Sequence, residues 1–132
     1  MAQVLYQNFS QNASPVTLTT TGETIIITSN SIDWPTGGNF ALILAYLSLS
    51  LSAATTGITL RVRRGNALTG AVVATSGVIT SGIAASTVWA DGFNAVDNPA
   101  PSDLAQYSLT AQVAGASGNS TTSLQSIALF LF

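Results

Sequence analysis

The three arginines stand almost together, and they are the residues of this chain best suited to bind a ligand. Arg61, Arg63 and Arg64 carry all of the positive charge, because no lysine is present. Guanidinium groups bind phosphates and carboxylates bidentately. In a strand, Arg61 and Arg63 share one face, and Arg64 points the other way or begins the turn. Two interpretations stay open: a site for an anion such as phosphate, sialic acid or a carboxylate, or ion pairs with aspartates of the same or a neighbouring subunit.

Three of the five carboxylates fall in one stretch. Asp91, Asp97 and Asp103 are spaced by six residues, with Asn94 and Asn98 between them. Hard oxygen ligands of this kind bind Ca²⁺. The spacing is not that of an EF-hand, however, and Asp-Gly and Asp-Asn-Pro are ordinary turn sequences. We therefore expect this stretch to be a loop, and we predict no metal site.

Two tryptophans are candidates for stacking on sugars. Trp34 lies in an Asp-Trp-Pro-Thr-Gly-Gly segment, and Trp89 stands two residues before Asp91. Both positions are predicted to be loops. An exposed indole there would fit a carbohydrate, whereas a buried one would close an end of the hydrophobic core.

The chain lacks most of the residues that carry catalysis. It has no cysteine, histidine or lysine, which removes thiolate nucleophiles, imidazole bases and Schiff-base chemistry. No pair of facing carboxylates suited to glycoside hydrolysis is visible. We therefore expect no enzyme and no cofactor. Nucleic acid is a poor partner for a chain of net charge −2, because phosphate binding needs clustered basic residues.

The elements that must position these residues are β-strands. Valine, isoleucine, threonine and aromatic residues occur in runs broken by glycine and proline, and helix signals are weak. We predict an all-β fold: a single antiparallel β-sandwich, jelly-roll-like, with eight to nine strands in one domain, 1–132. Residues 1–12 are a possible arm or exchanged edge strand. The predicted strands are Val4–Phe9, Val16–Thr20, Thr24–Thr28, Phe40–Ser52, its hairpin partner Ile58–Arg63, Ala71–Thr75, weaker strands at Val78–Ile79 and Val88–Trp89, Tyr107–Val113 and Leu124–Phe132.

Two segments are apolar on both faces of a strand. They are the first half of Phe40–Ser52 and the end of the chain from Ile127 onward, and neither contains a charge. Such segments aggregate when exposed. The terminal strand is therefore predicted to lie in the centre of a sheet. For both segments, another layer or another subunit is expected to cover the second face.

Several segments resemble small structural proteins of phage surfaces. They are residues 58–70, Val72–Thr75, Gln106–Val113 and Ser126–Phe132. Together they are similar to virion-surface β-sandwich domains: decoration or cement proteins, head fibres and spike tips, with jelly-roll or TNF-like trimers among them. The likeness covers roughly residues 40–132. It implies a capsid partner, a homo-oligomer that is commonly a trimer, and no catalytic positions.

We therefore expect a non-enzymatic virion structural protein, a decoration, cement or minor capsid subunit on the virion surface. It would contact a major capsid protein lattice through apolar and backbone contacts of its edge strands and N-terminal segment. No signal peptide is recognised, so synthesis in a host cytoplasm is expected, and no apolar run suggests a membrane partner. Two alternatives remain: a carbohydrate-binding or adhesin module using Trp34 and Trp89, and a filament subunit that donates Val4–Phe9 to its neighbour.

Overall fold

Strands are the only regular secondary structure in the part of the chain that the computed structural model describes. That part comprises residues 4, 6–18, 22–34, 40–51, 55–76, 88–98, 104–115 and 120–132. For Leu51, Thr55, Thr56, Val88, Trp89 and Gly115, only the backbone is described. The strands are β1 (Tyr6–Asn12), β2 (Thr17–Leu18), β3 (Thr24–Thr28), β4 (Ile32–Asp33), β5 (Ala41–Leu51), β6 (Thr55–Arg64), β7 (Val72–Thr75), β8 (Val88–Asp97), β9 (Leu104–Ala105), β10 (Tyr107–Gly115) and β11 (Ser120–Leu131).

The strands form two main antiparallel sheets. The first sheet has the order β1-β11-β5-β8, with β2 also paired to β11, and the second has the order β3-β10-β6-β7. Strands β4 and β9 form a separate pair. The inward side chains of both sheets make one hydrophobic core. The predicted all-β, jelly-roll-like sandwich is confirmed.

Strand β11 lies inside the first sheet, as its apolar sequence predicts. It pairs with β1 on one side and with β5 on the other. Its inward residues Ile127, Leu129 and Leu131 are fully buried. Alternation places every second residue on the opposite face of the strand, so those residues point away from the core.

The predicted hairpin of β5 and β6 is wrong. β5 pairs with β11 and β8, whereas β6 pairs with β10 and β7, so the two strands belong to different sheets. Both strands bury one alternating face in the shared core, for example Leu47 and Leu60. Residues close in sequence therefore face each other across the core, because the connection between them passes from one sheet to the other.

The predicted loop from Asp91 to Asp103 is also wrong in its first half. Strand β8 runs to Asp97 and pairs with β5 over ten residues. Gly92, Asn94 and the aspartates are typical of turns, but Phe93 and Ala95 alternate towards the core. The predicted strand Val78–Ile79 lies outside the described residues.

The N-terminal segment pairs with its own chain in this structure. β1 and β2 follow the same edge of β11, with an interruption at Ser14 and Pro15. The buried Gln125 side chain fills this interruption, because its Nε2 donates a hydrogen bond to the Ser14 carbonyl over 2.9 Å. β1 is therefore an edge strand of the first sheet.

The turn after β6 brings two arginines into place. Gly65 has a φ of 82°, which other residues rarely adopt. A Cβ on Gly70 would lie 1.9 Å from the Arg64 carbonyl oxygen, so the turn closes only around a glycine. The Gly70 carbonyl in turn accepts a hydrogen bond from Arg63 Nη1 at 2.8 Å.

Candidate interaction surface

One side of the first sheet faces away from the second sheet, and we call it the outer face. Burial alternation and strand register place its members, none of which is charged. They are Gln7, Phe9 and Gln11 of β1, Leu124, Ser126, Ala128 and Phe130 of β11, Leu42, Leu44, Tyr46 and Ser48 of β5, and Ala90, Gly92, Asn94 and Val96 of β8.

One half of the outer face is apolar, and we call it the apolar half. Its side chains form two rows across the four strands, Gln7–Phe130–Leu42–Val96 and Phe9–Ala128–Leu44–Asn94. Phe9 is 62% exposed, Val96 57% and Leu44 36%. Large apolar side chains that are exposed side by side on a sheet mark an interaction surface.

The edge of the apolar half carries a stack of two aromatic rings. The rings of Phe40 and Phe132 lie parallel with centroids 4.7 Å apart. The backbones of the two residues exchange hydrogen bonds of 3.0 and 3.2 Å. This stack extends the apolar half by one further row, to the end of the chain.

The other half of the outer face is polar. Gln11, Ser126, Tyr46 and Ser48 replace the large apolar residues, and Gly92 adds exposed backbone. In β5 this half follows from the serine–leucine alternation of the sequence, because Ser48 and Ser50 face outward whereas Leu47 and Leu49 face the core.

A groove of about 320 Å³ lies between β1 and β11 at the apolar half. Gln7, Asn8, Phe9, Ala128 and Phe130 line it. Apart from the two amide side chains of β1, the walls are hydrocarbon. The groove is suited to an apolar side chain.

The second sheet carries a charged cluster on its own outer side. Arg63 forms a bidentate pair with Glu23, with Nε and Nη2 each 2.8 Å from a carboxylate oxygen. Arg61 lies 3.6 Å from the same carboxylate, and Thr110 donates a hydrogen bond to it. The hydrogen bonds from Arg63 lower the pKa of Glu23, although burial opposes them, and they raise the pKa of Arg63.

Arg64 points to the opposite side of β6, as strand alternation predicts. Its Nε and Nη2 lie 2.8 and 2.6 Å from the two oxygens of Asp97, which is a residue of the first sheet. Tyr107 Oη donates to Asp97 over 2.9 Å. Burial, followed by this hydrogen bond, raises the pKa of Tyr107 far above its usual range. The three side chains connect the two sheets.

All three predicted arginines thus face carboxylates of the same chain. The partner of Arg61 and Arg63 is Glu23, to which the sequence analysis assigned no role. Glu23 is the only glutamate of the chain, and this rarity was its one signal. Tyr107, the third member of the Arg64 cluster, had no signal beyond its place in a predicted strand.

Two of the three aspartates considered as Ca²⁺ ligands lie in the described part of the chain, and they are far apart there. Asp91 and Asp97 lie six residues apart on one strand, a distance of about 20 Å, and Asn94 points to the opposite face. Asp103 lies outside the described residues. Within the described ranges, no three His, Cys, Asp or Glu side chains are grouped as metal ligands. Nor do those ranges contain a helix that is long and apolar enough to cross a bilayer.

The two tryptophans lie in different elements of the fold. Trp34 follows β4, is half-buried and packs against the core. Its indole Nε1 is buried, with no hydrogen-bond partner in the described part of the chain. Trp89 lies within strand β8, where its backbone pairs with that of Leu49. This agrees with the weaker strand predicted at Val88–Trp89 and not with the loop considered for Trp89 as a sugar-binding residue. The Trp89 side chain is not among the described parts of the structure.

No known protein family and no curated protein matches the sequence. Solved structures do match the fold. Over 98% of its length the chain is similar to 32% of a chain from the viral particle of infectious bursal disease virus (TM-score 0.65, 11% identity). Over 96% of its length it is similar to 33% of a chain from the VP2 subviral particle of that virus (TM-score 0.62, 13% identity). A chain of the Bacillus endospore appendages matches only at a TM-score of 0.43, with 15% identity over 100% of this chain and 96% of that one, which supports no inference.

The chain spans about a third of the length of these viral proteins. At 11–13% identity, the likeness establishes a shared β-sandwich fold. It does not transfer residues or partners.

Proposed function

We propose that this chain is a non-enzymatic structural subunit of a virus particle surface. The observation that carries the proposal is the outer face of the first sheet, which is apolar over half its extent and bears no charge. Contiguous exposed apolar surface without charge marks a contact with another protein, because covering it removes apolar area from water.

The fold supports the same role. The two similar structures with TM-scores above 0.6 reported above are chains of viral and subviral particles, and their match covers 96–98% of this chain. The described charged groups at the arginines are paired within the chain and hold its strands together, so they serve structure. Among the described residues, the large surface that packs against no other part of the chain is the outer face.

Within this role, we assign the chain to the decoration, cement or minor capsid subunits. It would self-associate, with three copies implied by the resemblance of its sequence, and bind a major capsid protein lattice at the virion surface. The two sides of the sandwich suit this role. The outer face is apolar and fits a protein contact, whereas the far side of the second sheet carries arginine, glutamate, threonine and glutamine side chains that suit water.

Particle binding tests the proposal. Purified chain is mixed with particles of the virus that encodes it, after those particles have been stripped of the chain, and both are sedimented through a sucrose cushion. We expect co-sedimentation that saturates at a fixed number of copies per particle, and a higher temperature of genome release. A chain that stays in the supernatant, and is absent from untreated particles by mass spectrometry, contradicts the proposal.

A further inference from the structure

We infer that a second copy of this chain covers the outer face of the first sheet. The inference rests on the proposed function, since it takes this face to be an assembly surface, and it names the partner of that face. The charge, the area and the shape of the outer face each favour a second copy as its partner.

The absence of charge restricts the partner. Burying an unpaired charge costs several kcal/mol, so a surface without charge selects a partner surface that also lacks it. No charged side chain lies on the outer face among the described residues. The chain itself therefore offers a matching surface: the same face of another copy pairs without stranding a charge from either side.

The area is close to what a stable contact between proteins needs. β5 has 11 residues and the face is four strands wide. At about 3.3 Å per residue and about 4.8 Å between strands, its flat area is roughly 700 Å². A standard interface buries about 800 Å² on each partner. The apolar half corresponds to the dry core of such an interface, and the half with Gln11, Ser126 and Ser48 corresponds to its polar rim.

The relief of the face also favours a sheet as its partner. Phe9 and Val96 are exposed on the two outer strands of the described sheet, and the small side chain of Ala128 lies next to Phe9. The groove beside Phe9 accepts an apolar side chain of the second copy. Stacked sheets pack about 10 Å apart with interdigitated side chains, as the two sheets of this chain already do within its own core.

Charge substitutions on the face test the inference. The molar mass of the purified chain is measured by size-exclusion chromatography with light scattering at micromolar concentration. Because the same face on two copies joins chains in pairs, we expect twice the 13.5 kDa chain mass, or six times that mass if the proposed three-copy assembly forms through a different surface. Val96→Asp and Phe9→Asp are expected to halve the measured mass, since each places a charge inside the contact. Both side chains are more than half exposed in the single chain, so folding should survive, which circular dichroism checks.

Val72→Asp is the matched control. Val72 is an exposed valine on β7, the edge strand of the second sheet, and it is 46% exposed. This variant should keep the mass of the wild-type oligomer. Loss of the oligomer in all three variants would point to general destabilisation and would overturn the assignment to the outer face.

Thiol labelling locates the contact directly, because the chain has no cysteine of its own. In the oligomer, the thiol of Val96→Cys should resist a maleimide reagent, and that of Val72→Cys should react fully. Equal labelling of the two sites, or an oligomer that persists in Val96→Asp and Phe9→Asp, overturns the inference.

The outcomes separate this inference from the proposed function. A wild-type chain that is monomeric but co-sediments with particles overturns the inference and leaves the structural role intact. An oligomer that depends on Val96 and Phe9 but has no affinity for particles supports the inference and contradicts the role.

Discussion

Asp97, on the first sheet, binds two side chains of the second sheet. Its side chain is 7% exposed, and its two oxygens accept hydrogen bonds from Arg64 and Tyr107. Asp97→Asn would leave the guanidinium beside a neutral amide. We expect a loss of about 2–3 kcal/mol in the free energy of unfolding, at the low end for a broken buried pair because the Arg64 side chain is 38% exposed.

Urea unfolding followed by tryptophan fluorescence measures this loss. Asp33→Asn is the control, since Asp33 is an exposed aspartate, and its unfolding free energy should change by less than about 0.5 kcal/mol. Equal stability of Asp97→Asn and the wild type would show that the cluster contributes nothing to the fold.

Glu23 predicts how stability depends on pH. Its pKa is lowered in the folded chain, mainly by the hydrogen bonds from Arg63. A carboxylate whose pKa is lower in the folded state stabilises the fold above its unfolded pKa, and that stabilisation is lost as the pH falls through the folded pKa. We therefore expect the free energy of unfolding to decrease as the pH falls below about 4.3, the usual pKa of glutamate.

Glu23→Gln should remove this part of the acid dependence and lower stability at neutral pH. Chemical unfolding at pH 7 and pH 3 compares the two proteins. The wild type should lose more free energy between these pH values than the variant does. Parallel losses in the two proteins would refute the role of Glu23.

At the scale of elements, the central position of β11 predicts which shortened side chains lower the free energy of unfolding most. Leu129 is fully buried on its inner side, between β1 and β5. Leu129→Ala is expected to cost about 3–5 kcal/mol, from lost hydrophobic transfer and the cavity left behind. Leu44→Ala, on the outer face of the neighbouring strand, should cost less than about 1.5 kcal/mol, because Leu44 is 36% exposed. Thermal unfolding of dilute protein ranks the two variants.

Pairing between strands was harder to predict than the strands themselves. Runs of apolar and β-branched residues, with alternation in β5 and β10, identified β3, β5, β10 and β11 to within a few residues. The partner of β6 left no such trace. A short connection is compatible with a hairpin and with a crossing between sheets, and only the packing of both faces distinguishes them.

For the whole molecule, the uncharged outer face predicts how self-association responds to salt. Salt screens charged contacts but does not weaken the burial of apolar surface. Between about 0.05 and 1 M sodium chloride, the Debye length falls from above 10 Å to about 3 Å. The molar mass of the oligomer should stay the same over this range. Sulfate should strengthen the association. Dissociation at high salt would mean that charged groups hold the contact.

Part of the outer face could be predicted from the sequence, and part of it could not. Phe40–Tyr46 and the chain from Ile127 were predicted to be apolar on both faces, and their second faces lie on the two central strands of the apolar half. Phe9 and Val96 were missed. Phe9 was assigned only to an edge strand, and Val96 lay in a stretch interpreted as a loop because of its aspartates and asparagines.

The sequence by itself determined the class of fold, the central place of the terminal strand and the scarcity of chemistry. These follow from local composition and from a period of two, which each strand carries within itself. The tertiary structure alone decided that Glu23 meets Arg63, that Asp97 meets Arg64 and Tyr107, and that four strands join their second faces into one apolar surface. Glu23 and Arg63 are 40 positions apart, Arg64 and Asp97 are 33 apart, and Asp97 and Tyr107 lie on different sheets. The four strands come from opposite ends of the chain, so all of these contacts arise only when the register of both sheets is set.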